Sequence, residues 1–131
     1  KIRNNKTKEE MDDKIKLMTL IRLVSYVKFD CEDYESSYFA GSPIVGEVLF
    51  DLKKKLSSIE GNEISFEVKL DSPFGRTLIK SIKWHLGNAQ SWSEMEQEDK
   101  IDHIKNLASP YYINDETINM LIVFRDFSSN R

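Results

Sequence analysis

Glu63 to Leu86 reads EISFEVKLDSPFGRTLIKSIKWHL, and the parsing of this stretch decides the fold. In its first third Ile64, Phe66, Val68 and Leu70 alternate with Glu63, Ser65, Glu67 and Lys69. Strict alternation is the period of a strand with one buried face. A lone strand leaves backbone groups unpaired, so the pattern implies a partner elsewhere. The following DSPFG holds the proline and glycine of a turn, and Thr77 to Leu86 is placed to return as the second arm of a hairpin. Two periods compete over that return. On a strand, Leu78, Ile82, Trp84 and Leu86 share a face with Lys80; on a helix, Leu78, Ile79, Ile82 and Leu86 form a stripe that leaves Trp84 outside it.

The closing apolar run TINMLIVFRDF, Thr117 to Phe127, is open in the same way. It fits a buried strand, or a terminal helix preceded by Asn114 and Asp115. The need to pair residues 63–70 favours the strand.

Elsewhere the helical signals are plainer. Thr7-Lys8-Glu9-Glu10 has capping-box spacing, and Leu17, Leu20, Ile21, Val24 and Val27 follow at steps of three and four, predicting a helix from Lys8 to Lys28. Asp30 to Gly41 shows no period and reads as a loop. Ser42-Pro43 supplies an N-cap and a proline at the first helical position. Val45, Val48, Leu49, Leu52, Leu56 and Ile59 then predict a helix that ends at Gly61-Asn62. The Lys53–Lys55 triplet near its end suits the helix dipole. Ser91 or Ser93 opens a further helix reaching Leu107, with Met95, Ile101, Ile104, Leu107 and Ala108 on its buried side, and Ser109-Pro110 stops it.

These elements predict an α+β fold, with about three helices packed on one side of a small, mainly antiparallel sheet. At 131 residues the chain suits a single globular domain over 1–131, and its Lys1 start suggests one excised from a longer chain. The longest apolar run, Met120 to Phe124, is far below the roughly 20 residues of a membrane span. With one cysteine, Cys31, and no apolar stretch of signal-peptide type, an intracellular setting is expected.

The net charge of −3 is unevenly distributed. Residues 1–28 hold 8 basic and 4 acidic side chains, Phe29 to Gly41 holds Asp30, Glu32, Asp33 and Glu35 with no base, and Ser72 to Gln90 holds Arg76, Lys80 and Lys83 with no acid. Ser91 to Ile104 then sets Glu94, Glu96, Glu98, Asp99 and Asp102 against Lys100. Basic and acidic blocks alternate, and mutual compensation within one domain explains them most simply.

Recognisable chemistry is scarce. Two histidines and one cysteine stand far apart, which fits no structural zinc site. Nothing around Cys31 in FDCEDYE resembles a reactive thiol site, and the five glycines fit neither a phosphate loop nor a dinucleotide fingerprint. No catalytic, metal-binding or cofactor-binding residue is assigned, and no cofactor is expected. His85 reads as a partly exposed residue, and His103 as a surface residue whose protonation Asp99 and Asp102 favour.

The expected function is therefore a non-catalytic protein–protein interaction domain, an adaptor or assembly module with another protein as its partner. Arg76, Lys80, Lys83, Trp84 and His85 are the candidate partner-binding residues, because interfaces favour aromatic and arginine side chains. Tyr34, Tyr38, Phe39, Trp92, Tyr111 and Tyr112 add aromatics in expected loops. Three alternatives stand beside this one. A small inhibitor could mask a basic partner through Asp30–Glu35 or Glu94–Asp102. A small enzyme could assemble Glu94, Glu98, Asp102 and His103. Weak nucleic-acid binding could use the 72–87 basic stretch, although three or four cations support little affinity.

Overall fold

A computed structural model describes residues 7–129, and these residues form helices joined by short connections. In chain order they are α1 (Lys8–Ser25), α2 (Tyr34–Ala40), α3 (Pro43–Glu60), α4 (Pro73–Gly87), α5 (Gln97–Ala108) and α6 (Asp115–Ser129). A π-helical turn (Tyr26–Asp30) extends α1, and a 3₁₀ turn (Trp92–Glu94) precedes α5. The basic residues of 1–6 lie outside the described residues.

The local signals at three helix ends hold. Thr7 and Glu10 form the reciprocal capping box of α1. The Ser42 hydroxyl accepts from the Val45 amide at the start of α3, with Pro43 in its first turn, and Gly61 closes α3 in the left-handed region at φ 74°. The α1 stripe is shallower than its spacing suggests: Leu17 is buried, Ile21, Val24 and Val27 are half-buried, and Leu20 is exposed.

The expected α+β architecture is overturned: about 75% of the described residues are helical, and no sheet occurs among them. Ser72-Pro73 starts α4 as Ser42-Pro43 starts α3, with the Ser72 hydroxyl accepting from the Gly75 amide. Gly75, Leu78, Ser81, Ile82, His85 and Leu86 are buried at steps of three and four, which is the helical solution to the competing periods. The final run is also helical. Asn114 Oδ1 accepts from the Thr117 amide at its start, and Thr117, Ile118, Leu121 and Ile122 face the core while Val123 is exposed.

The alternation of 63–70 survives only as alternate burial over 63–69: the segment forms no strand, and Leu70, expected on its buried face, is exposed at a turn. Ile64, Phe66 and Val68 are half-buried, while Glu63, Ser65, Glu67 and Lys69 are exposed. Aromatic packing holds it against the helices: the Phe66 ring lies 4.9 Å from Phe50 and 6.0 Å from Tyr111. One bridge, Tyr112 N–H to Phe66 C=O at 2.8 Å, is its contact of strand type. Alternation thus records one covered face, and here helices do the covering.

The stretch expected to be a loop after α1 contains α2, whose buried residues are Ser36 and Ala40, spaced one turn apart. So small a buried face leaves no apolar period. Asp33 caps this helix. The core gathers Phe29, Ala40, Leu49, Leu78, Ile82, Leu86, Trp92, Ile104, Leu107, Ala108, Ile113, Ile118, Leu121 and Ile122. Helix α4 lies at its centre, packed on α5, α6 and the π-helical turn, while α1 runs along α3.

Within the π-helical turn the Cys31 amide donates to Tyr26 C=O, a wide loop that carries both Lys28 and Phe29 into the interior. Lys28 is fully buried. Its ammonium donates to the carbonyls of Ala40 (2.6 Å), Asn106 (2.8 Å) and Leu107 (3.2 Å), at the C-terminal ends of α2 and α5. Helix ends leave such carbonyls without intrahelical partners, and the dipole there favours a cation. One side chain therefore ties two helices to a third.

Candidate functional site

The C-terminal half of α4 faces α2 and α5 across an open cleft of about 700 Å³. Tyr34, Glu35, Tyr38 and Phe39 of α2 line one side, and Met95, His103 and Leu107 line another, with His85, Asn88, Ala89 and Gln90 completing it. The α2 aromatics stand out from the surface, Tyr34 at 63%, Tyr38 at 79% and Phe39 at 46% exposure. Tyr38 and Phe39 pack edge to face at 5.4 Å, and Gln90 Nε2 donates to the Tyr34 hydroxyl at 3.0 Å, bridging α2 to the segment after α4.

Deeper in, Ser37 Oγ lies 2.7 Å from His85 Nδ1. His85 is only 3% exposed, and its Nε2 is buried with no hydrogen-bond partner among the described residues. Burial foremost, then repulsion from the Lys28 ammonium and from His103, pushes its pKa from 6.5 down to about 4. His103 is half-buried, and burial followed by Lys28 lowers it too, which corrects the expectation of a surface histidine held protonated by carboxylates. His85, expected to be partly exposed, is a core residue.

A serine beside a histidine raises the question of nucleophilic catalysis. A general base works best with a pKa near the operating pH and a third group to orient it. Burial pushes the pKa of His85 down to about 4, and among the described residues no carboxylate bonds its other nitrogen. The pair is suited to holding α2 against α4. Of the four residues grouped for an enzymatic alternative, His103 alone lines the cleft, while Glu94, Glu98 and Asp102 are exposed. Among the described residues no group of three or more His, Cys, Asp or Glu side chains is placed to hold a metal ion.

The buried histidine makes the fold acid-sensitive in a defined window. The unfolded chain takes up a proton near pH 6.5, the folded chain only near pH 4. Stability from this residue is therefore full above pH 6.5 and falls as pH drops towards 4, by about 3 kcal/mol. Asparagine can bond Ser37 from the position of Nδ1 without titrating. Chemical denaturation of His85→Asn from pH 4 to 7 should show that much less acid destabilisation than the wild type, and parallel profiles would refute the assignment.

The five candidate partner-binding residues do not form one patch. Arg76, Lys80 and Lys83 share one side of α4 and line a second, shallower groove of about 470 Å³ with Leu70, Ile79 and Met120. His85 lies under the aromatic cleft instead. Trp84 is half-buried at the edge of the basic face, its ring perpendicular to that of His85 at 5.1 Å. Of the other aromatics, Trp92 is core, donating from Nε1 to Asp126 at 2.8 Å, and Tyr111 is half-buried, whereas Tyr112 is exposed. Sequence reasoning missed Ser37, whose partner is 48 residues away and leaves no local signal.

Among the described residues, no helix is long and apolar enough to cross a membrane. The chain matches no protein-family model, no curated protein and no solved structure.

Proposed function

We propose that this chain is a non-catalytic protein-interaction domain, whose cleft between α2, α4 and α5 receives an apolar anchor side chain from a basic surface of a partner protein. The observation that carries this reading is the exposure of Tyr34, Tyr38 and Phe39 around a preformed concave site. Binding sites are typically concave and largely apolar with a few polar groups, and tyrosine is among the residues that dominate interface energetics. The charge of the partner follows from the rim. Glu35 lines the cleft, and Asp30, Glu32 and Asp33, just before α2 in the chain, are exposed, so a basic surface is steered towards this part of the molecule and an acidic one repelled.

Both tyrosines are largely exposed, so their truncation leaves the core intact. Immobilised wild type should retain a stoichiometric partner from an extract of the native cell, and Tyr34→Ala/Tyr38→Ala should bind that partner at least 10-fold more weakly in titration. Equal retention by the variant, or turnover of an activated ester that disappears in Ser37→Ala, would overturn the reading.

A further inference from the structure

The groove between α4 and α6 lies on another part of the molecule and has the opposite charge. Its floor is Leu70, Ile79 and Met120, and its α4 edge is Arg76, Lys80 and Lys83. Of α6, Met120 lines the groove, and on the same helix Met120, Val123 and Phe127 recur at steps of three and four and are 42%, 52% and 71% exposed. Apolar side chains at that spacing on a surface helix ordinarily face a core. Here no element of the described residues covers them.

The three cations have few internal competitors. Arg76 donates to the Asp71 carbonyl, and the Lys83 ammonium lies 4.7 Å from the Phe124 ring centre. The ion pairs among the described residues, Lys14–Glu60 and Lys100–Asp126, involve none of the three. Among the described residues no ion pair joins Arg76, Lys80 or Lys83 to the acidic run of Glu94 to Asp102. On α6, Glu116 is exposed one turn before Met120, so the stripe begins at an acidic side chain and the positive edge belongs to α4.

We infer that this groove binds an amphipathic helix of a partner protein whose apolar residues seat on Leu70, Ile79 and Met120 and whose acidic edge lies along Arg76, Lys80 and Lys83. The spacing fits. Steps of four and three place the cations along roughly 10 Å of α4 at 1.5 Å per residue, the same interval over which a docked helix presents side chains at i, i+4 and i+7. A concave apolar floor with charge on one edge matches a helix better than a membrane, which meets a convex face and gains only about 1 kcal/mol per basic residue near its surface. Three cations likewise support little affinity for nucleic acid.

The test is a displayed library of 16-residue helices with leucine, isoleucine or methionine at i, i+4, i+7 and i+11 and Glu, Lys, Gln or Ala elsewhere. Selection on the full chain should enrich Glu along one edge of the apolar stripe. A synthetic copy of a selected helix should perturb backbone amide resonances of residues 76–83 and 120–127 and leave those of 34–39 unmoved, separating this site from the aromatic cleft. Lys80→Glu/Lys83→Glu and Met120→Glu should each weaken its binding at least 10-fold, and raising salt should weaken wild-type binding but not that of the double variant. Selected helices without acidic enrichment, or equal binding by the variants, would overturn the inference. So would a groove occupied instead by a second copy, seen as concentration-dependent dimerisation lost in Lys80→Glu/Lys83→Glu. Tighter binding to vesicles of 30% phosphatidylserine or to a single-stranded oligonucleotide than to any selected helix would do the same.

Discussion

Gly75→Ala is expected to lower stability by about 3 kcal/mol, whereas Gly87→Ala, at the other end of the same helix, is expected to change it by under about 1 kcal/mol. A Cβ at position 75 would lie 2.1 Å from the Lys69 carbonyl oxygen and 2.8 Å from the Leu70 Cα. Both obstacles are backbone, so no rotamer change relieves them. Either α4 or the segment 63–70 must move, and both are anchored, α4 by its buried face and the segment by Phe66 on Phe50 and Tyr111. A Cβ at Gly87 meets nothing within 4 Å. Alanine is the better helix former at both positions by about 1 kcal/mol, so propensity alone predicts the same small gain twice. Thermal melts of the two variants separate the explanations. A fall of roughly 10 °C for position 75 alone is expected, and equal melting temperatures would remove the close approach from the fold.

The second large effect belongs to Lys28 and is read against pH. Burial pushes its pKa from 10.5 down to about 7, although three carbonyls accept from its ammonium. The unfolded chain holds the proton up to pH 10.5, while the folded chain releases it near 7. Between those values the unfolded state binds more protons, so this residue makes the fold more stable as pH rises. Its penalty is largest below pH 7 and vanishes above 10.5. From pH 7 to 9.5 the gain is about 3 kcal/mol.

Lys28→Met keeps a similar length of apolar chain but has nothing to titrate. At neutral pH its loss of hydrogen bonds is offset by relief from burying a cation; at pH 9.5 that relief has mostly gone. The deficit of Lys28→Met relative to wild type is therefore expected to widen by about 3 kcal/mol over this range, measured by urea denaturation at each pH. Parallel stability profiles would show that Lys28 stays protonated in the fold.

The Ser-Pro pairs show why the architecture was only partly legible. Ser42-Pro43 and Ser72-Pro73 are the same helix-start signal, and both act as one. The first precedes a clear period of three and four. The second follows an alternating segment and carries Gly75, so the same dipeptide reads as the corner of a hairpin. In the folded chain Gly75 makes no turn: it sits in the first turn of α4 because Lys69 and Leu70 pass against it. Gly46 has a similar origin, since a Cβ there would meet the Ser109 Oγ at 2.3 Å. Gly46 answers to a neighbour far along the chain and Gly75 to a segment that folds back against it, and no periodicity in the sequence reports either.

The candidate sites divide along the same line. The grouping of Arg76, Lys80 and Lys83 was legible as a basic run without an acid, and the α2 aromatics stood out by composition. Their assignment to two separate concavities was not, because adjacent helical residues such as Trp84 and His85 point about 100° apart once the period is settled.

By itself the sequence determined what depends on neighbours a few residues away: the capping box of Thr7 and Glu10, the Ser42 cap and the Gly61 stop. Those choices rest on hydrogen bonds and dihedral preferences completed within a turn or two. Tertiary structure alone decided that the segment 63–70 is covered by helices rather than paired in a sheet, that Lys28 collects carbonyls from α2 and α5, and that Ser37 meets His85. Each depends on contacts between residues 12 to 79 positions apart, which form when apolar faces are buried together and which leave no periodic trace in the chain.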